Sequence, residues 1–312
     1  MTRYLFRRLA YLAPVWLGIS FVAFALANLT PGDPARLMLQ RELGRPPTSE
    51  ELATARGVLR LDDPYLVRYG RWLLDALTGD LGTSYRTGEP VLGALLGRFP
   101  NTFQIAALGL AGAIIVALPL GVMAAVWRNS VVDHASRVLA LAGAAMPSYW
   151  VAYLLILVFA VRWQLLPVAG RGTWQHVVLP AATLGLAASA SLMRLTRSEM
   201  IEVLGQDFVR TGWSKGLDAR AVVVGHALRN ALAPVLTVAG MRFAGLLGGA
   251  VIVETIFAWP GIGKFVLDSI FDRDYPVIQG FVVFMGTVFL LINLAVDIGY
   301  AVLDPRIRLD AS

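Results

Sequence analysis

The sequence predicts an all-α integral membrane protein, with six transmembrane helices and a helical segment outside the membrane after the first of them. Three observations carry this. Of 312 residues, 57% are hydrophobic and only 15% are charged, and mean hydropathy is +0.64, a balance outside that of soluble globular domains. Apolar stretches of the roughly 20 residues that a bilayer crossing needs recur along the chain. The basic residues between them concentrate on alternate sides, as the positive-inside rule requires.

The six stretches are 9–29, 99–127, 138–161, 172–193, 230–253 (interrupted only by Arg242) and 275–296. In hydrocarbon the backbone must satisfy its own hydrogen bonds, so each stretch is expected to be a helix. Arg3, Arg7 and Arg8 ahead of the first stretch, with Ala25-Leu26-Ala27 near its end, also fit a secretory signal. The run is long for a signal's apolar core, so a retained span is the expectation. Segment 30–98 carries nine arginines against nine acidic residues and follows as the outer segment. Thr48 with Glu51 forms a capping box ahead of one short helix. Asp63-Pro64 starts another, with Pro64 at its first position, and Leu66, Tyr69, Leu73, Leu74 and Leu77 on one face. The expected organisation is a first span in 1–29, the outer segment in 30–98, a five-helix core in 99–303 and a tail in 304–312. Arg128 and Arg137 follow the second span, and Arg194, Arg197, Arg210, Lys215, Arg220 and Arg229 surround the polar loop 198–229. These ends are expected in the cytoplasm, with both termini. The loop after span five, with Asp268, Asp272 and Asp274 against Lys264 and Arg273, is expected outside.

Composition excludes several chemistries. There is no cysteine, hence no disulfide or thiolate site, and His134, His176 and His226 lie far apart without metal-ligand spacing. Net charge is +6, but the basic residues form no contiguous stripe, which argues against a nucleic-acid face. No phosphate-binding loop is present. Gly261-Ile262-Gly263-Lys264 comes nearest, but Ala258 stands where the first glycine belongs and Phe265 follows the lysine. Nucleotide hydrolysis, if it drives this chain, must take place on another subunit.

Ionisable residues within spans are functional suspects by default. They are Arg242 and Glu254 in span five and Asp297 near the end of span six. Arg242 and Asp297 are expected at similar depth, as a pair. Span five also holds Gly240, Gly245, Gly248 and Gly249, a small-residue face suited to close helix approach or to a smooth pore wall. It ends in a Trp259-Pro260-Gly261 corner. In loop 198–229, Met200, Val203, Leu204 and Phe208 recur at helical spacing. Gly205, Gly212 and Gly216 divide the loop into an expected two or three short helices. Such a loop suits either a soluble partner or mere connection.

Several motifs in order carry a resemblance. QDFVRTGWSKGL (206–217) followed by HALRNALAPVLT (226–237) is similar to the cytoplasmic Glu-Ala-Ala loop of binding-protein-dependent ABC importer permeases of the dipeptide, oligopeptide and nickel branch. RYLFRRL, LTPGDP, LDDPYLVRYGRWL, GDLGTSYRTGEPV, VETIFAWPGIGKF, RDYPVIQG and LDPRIR extend the likeness over nearly the whole chain. In place of Glu-Ala-Ala stands Arg210-Thr211-Gly212, and Leu228-Arg229 replaces a leucine-proline; the turn glycine, Gly216, is kept.

The resemblance implies a type I importer permease fold with an extra N-terminal span, in a bacterial inner membrane. It implies a second permease subunit, two cytoplasmic ATPases that hold ATP and magnesium, an extracytoplasmic binding protein, and no cofactor bound by this chain. The loop then corresponds to a coupling helix seated on an ATPase, through Gln206, Asp207, Phe208, Arg210, Thr211, Trp213, Lys215, Gly216 and Leu217. TSEELATARGVLRLDDP, LLPVAGRGTWQHVVLPA and IFDRDYPVIQ resemble nickel-type permeases more than oligopeptide ones, and peptides stay open as the substrate. The rival classes are an ion-coupled secondary transporter, for which repeated halves are missing, and an intramembrane enzyme, for which no catalytic cluster is present.

Overall fold

The computed structural model describes residues 2–29 and 33–303, and side chains within 11–28, 33–41 and 43–299. The side chains of the N-terminal arginines, the tail 304–312 and the side of the membrane on which the termini lie fall outside what is described. The chain forms two compact units, 1–100 with 264–291 and 101–263 with 292–312.

In the first unit, α1 (Thr2–Leu29) is followed by three short helices, α2 (Pro34–Leu43), α3 (Ser49–Val58) and α4 (Tyr65–Leu77). Helix α3 starts at the expected capping box, with the Thr48 hydroxyl and the Glu51 carboxylate each accepting from the other's backbone N–H. Arg45 donates two further bonds to Glu51, at 2.6 and 3.0 Å. With Thr48 it holds that carboxyl down at about 2. Helix α4 differs from expectation in two ways. Pro64 is its cap, not its first residue. Its packed stripe is aromatic, with Tyr65, Tyr69 and Trp72 against Phe21 and Phe24 of α1, while Leu66, Leu74 and Leu77 stay exposed. Ring area and edge-to-face geometry favour the aromatic stripe. Ser20 meets the Tyr69 hydroxyl at 2.9 Å, and Trp16 donates to Thr287 at 2.9 Å. The 84–86 turn closes on the fully buried Asp274, which accepts from the Ser84 hydroxyl at 2.6 Å and from the backbone N–H groups of Tyr85 and Arg86. Burial, then the Asp274 charge, pushes the Tyr85 hydroxyl up to about 12.

Long helices follow: α5 (Val91–Val126), α6 (Val131–Ala145), α7 (Ser148–Leu155), which continues as π-helical turns over Ile156–Arg162, and α8 (Gln175–Leu204). After α9 (Asp207–Ser214), π-helical turns at Ala221–Leu228 lead into α10 (Arg229–Ile256). Then come α11 (Ile262–Phe271) and α12 (Tyr275–Leu303). Among the described residues, five segments of the chain are long and apolar enough to cross a membrane, and α6 with α7 and its π turns reaches that length and apolarity only as a pair bent by 107°, the geometry of a broken span or of a re-entrant loop. That bend corrects the single straight span expected over 138–161. Met146 precedes Pro147 and is extended, at φ −76° and ψ 128°, because a residue before proline is driven out of the helical region. The helix that holds the second span starts at Val91, ahead of the apolar stretch 99–127, and its 36 residues exceed what a crossing needs. Among the described residues β structure is limited to a bridge between Thr83 and Pro90.

The core of the second unit is built on small side chains. Ala113, Ala117, Ala140, Ala188, Ala190 and Ala239 pack around Leu192 and Met193. A second cluster joins Ile105, Leu179, Val253, Phe257 and Trp259. Small residues let helix backbones approach in a membrane, where van der Waals packing replaces the hydrophobic drive.

Candidate functional site

Residues 205–220 connect two segments that each suffice to cross a membrane, and α9 is the one ordered helix in that link. Gln206 is its extended N-cap, and Asp207 in the first turn complements the helix dipole. Its C-terminus is fixed by glycine. Gly216 has φ +77°, its N–H donates to Trp213 O at 3.0 Å, and the Leu217 N–H donates to Gly212 O at 3.3 Å. Those two bonds with a left-handed residue between them make a Schellman cap.

The two faces of α9 differ sharply. Val209 is 1% exposed and lies in a cluster with Met200, Val203, Val222, Ala227, Ala231 and Ala125. Each fully buried valine or methionine there contributes about 1.5–3 kcal/mol. Gly212 is buried on the same inner face, where a Cβ would lie in ordinary contact with Val222 and Leu217. It therefore packs inside the helix instead of breaking it, contrary to expectation. Gln206, Asp207, Phe208, Arg210, Thr211, Trp213, Lys215, Gly216 and Leu217 are all exposed. Phe208 at 41%, Trp213 at 46% and Leu217 at 39% leave three large apolar groups in solvent among charges. Met200 and Val203 pack inward while Phe208 faces out, so the apolar repeat from 200 to 208 is two surfaces and not one. The short helices expected in 198–229 reduce to α9, since α8 runs through 198–204 and residues from 221 on run into α10.

The three intramembrane suspects lie in different settings. Glu254 is fully buried and accepts from the Thr102 hydroxyl at 2.5 Å, while Thr102 Oγ1 accepts from the Ile262 N–H at 2.9 Å. Asn101 donates to Pro260 O, and the Trp259 indole donates to Asn101 O. Gly261 and Gly263 wrap the carboxylate so closely that a Cβ on either would overlap it or press on it. The Trp-Pro-Gly corner is thus moulded around Glu254. Arg242 is exposed and Asp297 half-buried. A Cβ at Gly240 would strike Val296, so α10 and α12 cross closely two residues before Arg242 and one before Asp297. A Cβ at Gly245, Gly248 or Gly249 would meet nothing within 4 Å among the described residues, which leaves that face open.

Sequence reasoning missed one polar centre in this unit. Asp133, four residues before Arg137 and outside the residues singled out from sequence, is fully buried and accepts from Arg197 Nε at 2.6 Å and Nη2 at 2.8 Å. The Asn129 N–H adds a bond at 2.9 Å, and Arg137 stands 3.4 Å away. The available signal was Ser130, three residues before Asp133: a cap whose hydroxyl accepts from the Asp133 N–H.

Comparison with known proteins agrees with this architecture. Residues 117–309 match the family of binding-protein-dependent transport system inner membrane components, and residues 1–106 match the N-terminal family of the same membrane components. The chain is 38% identical, over 339 aligned residues and 99% of both chains, to the dipeptide transport system permease protein DppB of Escherichia coli K12. It is 40% identical, over 308 residues and 99% of both, to the glutathione transport system permease protein GsiC of Pectobacterium atrosepticum. Among solved structures, the methionine ABC transporter MetNI superposes with a TM-score of 0.58 at 17% identity, covering 69% of this chain and 99% of that one, a likeness of fold. The chain belongs to the inner-membrane component family of binding-protein-dependent transport systems, as an ABC importer permease of the dipeptide and oligopeptide branch.

Proposed function

We propose that this permease forms half of a peptide pathway and is driven through α9 by a cytoplasmic ATPase. The observation that carries the reading is the two-faced build of α9: an inner face locked by Val209 and Gly212, and an outer face offering Phe208, Trp213 and Leu217 between Asp207, Arg210 and Lys215. Exposed apolar anchors rimmed by charges are what a protein partner buries. ATP-driven closure of that partner would push α9 and tilt the spans attached to it, a rigid-body switch. The excess of arginine around the loop supports a cytoplasmic position. The open glycine face of α10 suits a second permease subunit, and a binding protein delivers substrate from the opposite side. The approach of Gly240 to Val296 puts Arg242 and Asp297 at similar depth, and charge reversal at one position with rescue at the other tests whether they pair.

Peptides fit better than nickel as the cargo, because the named relatives carry dipeptides and glutathione. The deciding experiment is Gly216→Pro. Proline holds φ near −65°, and Gly216 needs φ +77°. The variant is expected to insert in the membrane and lose uptake of a labelled dipeptide. Uptake at the parental rate refutes the coupling role. Uptake that persists without ATPase subunits and follows an ion gradient would favour the secondary-transporter class.

A further inference from the structure

We propose that the Asp133–Arg197 pair is the positioning link through which a displacement of α9 is carried to α6 and the segment beyond its bend. The inference rests on α9 being the ATPase contact. The inner face of α9 is packed against Met200 and Val203 of α8. Arg197 lies one turn before Met200 on that helix, so a force on α9 reaches Arg197 through a single rigid element. Arg197 then grips the first turn of α6 with both ends of its guanidinium. At the same level α8 is wedged against α5, where a Cβ at Gly121 would overlap Thr196.

The chemistry of the pair argues for positioning instead of stability. A buried ion pair contributes little net stability, because removing two charges from water offsets their attraction. What the planar fork does supply is direction: two parallel bonds fix both distance and angle, where alanine-rich helix faces allow sliding. Asp133 is also bonded to the Asn129 N–H and receives the Ser130 cap, so the carboxylate is an integral part of the start of α6. Helix α6 runs into the 107° bend at Pro147. Rotating α6 about its anchored N-terminus therefore swings α7, beyond the bend.

The test uses the assembled importer, with its second permease, ATPases and binding protein, in lipid nanodiscs and vesicles. This chain has no cysteine, so, with any cysteines of the partner subunits replaced, Ala135→Cys on α6 and Ser214→Cys on α9 are the only sites for the spin labels. In the parent, the label-to-label distance is expected to be the same in nucleotide-free and ATP-vanadate states, within the ~1–2 Å of small helix shifts. In Asp133→Asn the two states are expected to separate. Dipeptide carried per ATP hydrolysed is expected to fall about tenfold, the factor that one charge-assisted hydrogen bond supplies. A parental α6-to-α9 distance that changes well beyond that range between states overturns the proposal, and so does unchanged coupling in Asp133→Asn. If Asp133→Asn does not assemble, the volume-filling pair Asp133→Leu with Arg197→Met replaces it, and parental coupling in that pair overturns the link. Phe208→Ala with Trp213→Ala separates the two ideas: ATPases that stay bound at parental stoichiometry in that variant defeat the α9 reading itself, whatever Asp133 does.

Discussion

At the scale of single residues, the same change has opposite consequences at two glycines of one motif-rich stretch. Gly261→Ala would drive a methyl group into the Glu254 carboxylate, which is fully buried and bonded to Thr102. The carboxylate can move aside only by breaking its bond to Thr102 in an enclosed site, so the substitution should cost about 1–3 kcal/mol as overpacking. It should appear as a lowered midpoint for thermal aggregation in detergent. Gly245→Ala meets nothing within 4 Å and should leave that midpoint unchanged; any effect should appear only when the second permease is present. The sequence showed Glu254 as a suspect because a carboxylate in an apolar run is conspicuous. It did not show Asp133, because a carboxylate shortly after Asn129-Ser130 looks like any charge in a short loop. What buries Asp133 is Arg197, 64 positions later, and only the packing of α6 on α8 brings them together.

At the scale of elements, local chemistry was legible and breaks within apolar runs were not. The capping box at Thr48 and Glu51 stands in the structure as the spacing implied. Its pH dependence follows from the same atoms. Arg45 and the Thr48 backbone favour the ionised form, so the Glu51 carboxyl sits near 2 in the folded chain, below the ~4.3 of a free glutamate. A depressed carboxyl pKa stabilises the fold fully above its unfolded value and loses that contribution as pH falls toward 2. Hydrogen-exchange protection of α3, corrected for intrinsic rates, should therefore drop between about pH 5 and about pH 2.5 in the parent. In Glu51→Gln it should be low throughout and nearly flat. The α6–α7 bend escaped the sequence reading because hydropathy is blind to Pro147: both sides of it are apolar, and only backbone geometry divides them. The same holds for α4, where Tyr69 of the expected face packs on α1 while Leu66, Leu74 and Leu77 of that face stay exposed.

At the scale of the whole molecule, the question is where the work comes from and which side it enters. The chain is a permease of its family, yet the only Gly-x-Gly-Lys in its sequence lies in a corner whose glycines enclose Glu254 and leave no cradle for phosphate. In the proposed mechanism its motion is imposed by a partner, and the surface on which that partner acts faces the compartment that holds ATP. Ser214 is exposed at the end of α9 and belongs to no buried cluster, so Ser214→Cys in this cysteine-free chain reports that side directly. A membrane-impermeant maleimide should label it in inverted vesicles and not in intact cells, and bound ATPase subunits should shield it. Labelling from the outside would place α9 beyond the reach of any cytoplasmic motor and remove the drive from the proposed mechanism. Labelling from the inside without shielding would keep the topology and move the motor contact elsewhere. With shielding established, competition decides the cargo: unlabelled dipeptide should abolish ATP-dependent uptake of labelled dipeptide by the assembled importer, while nickel chloride should leave it intact.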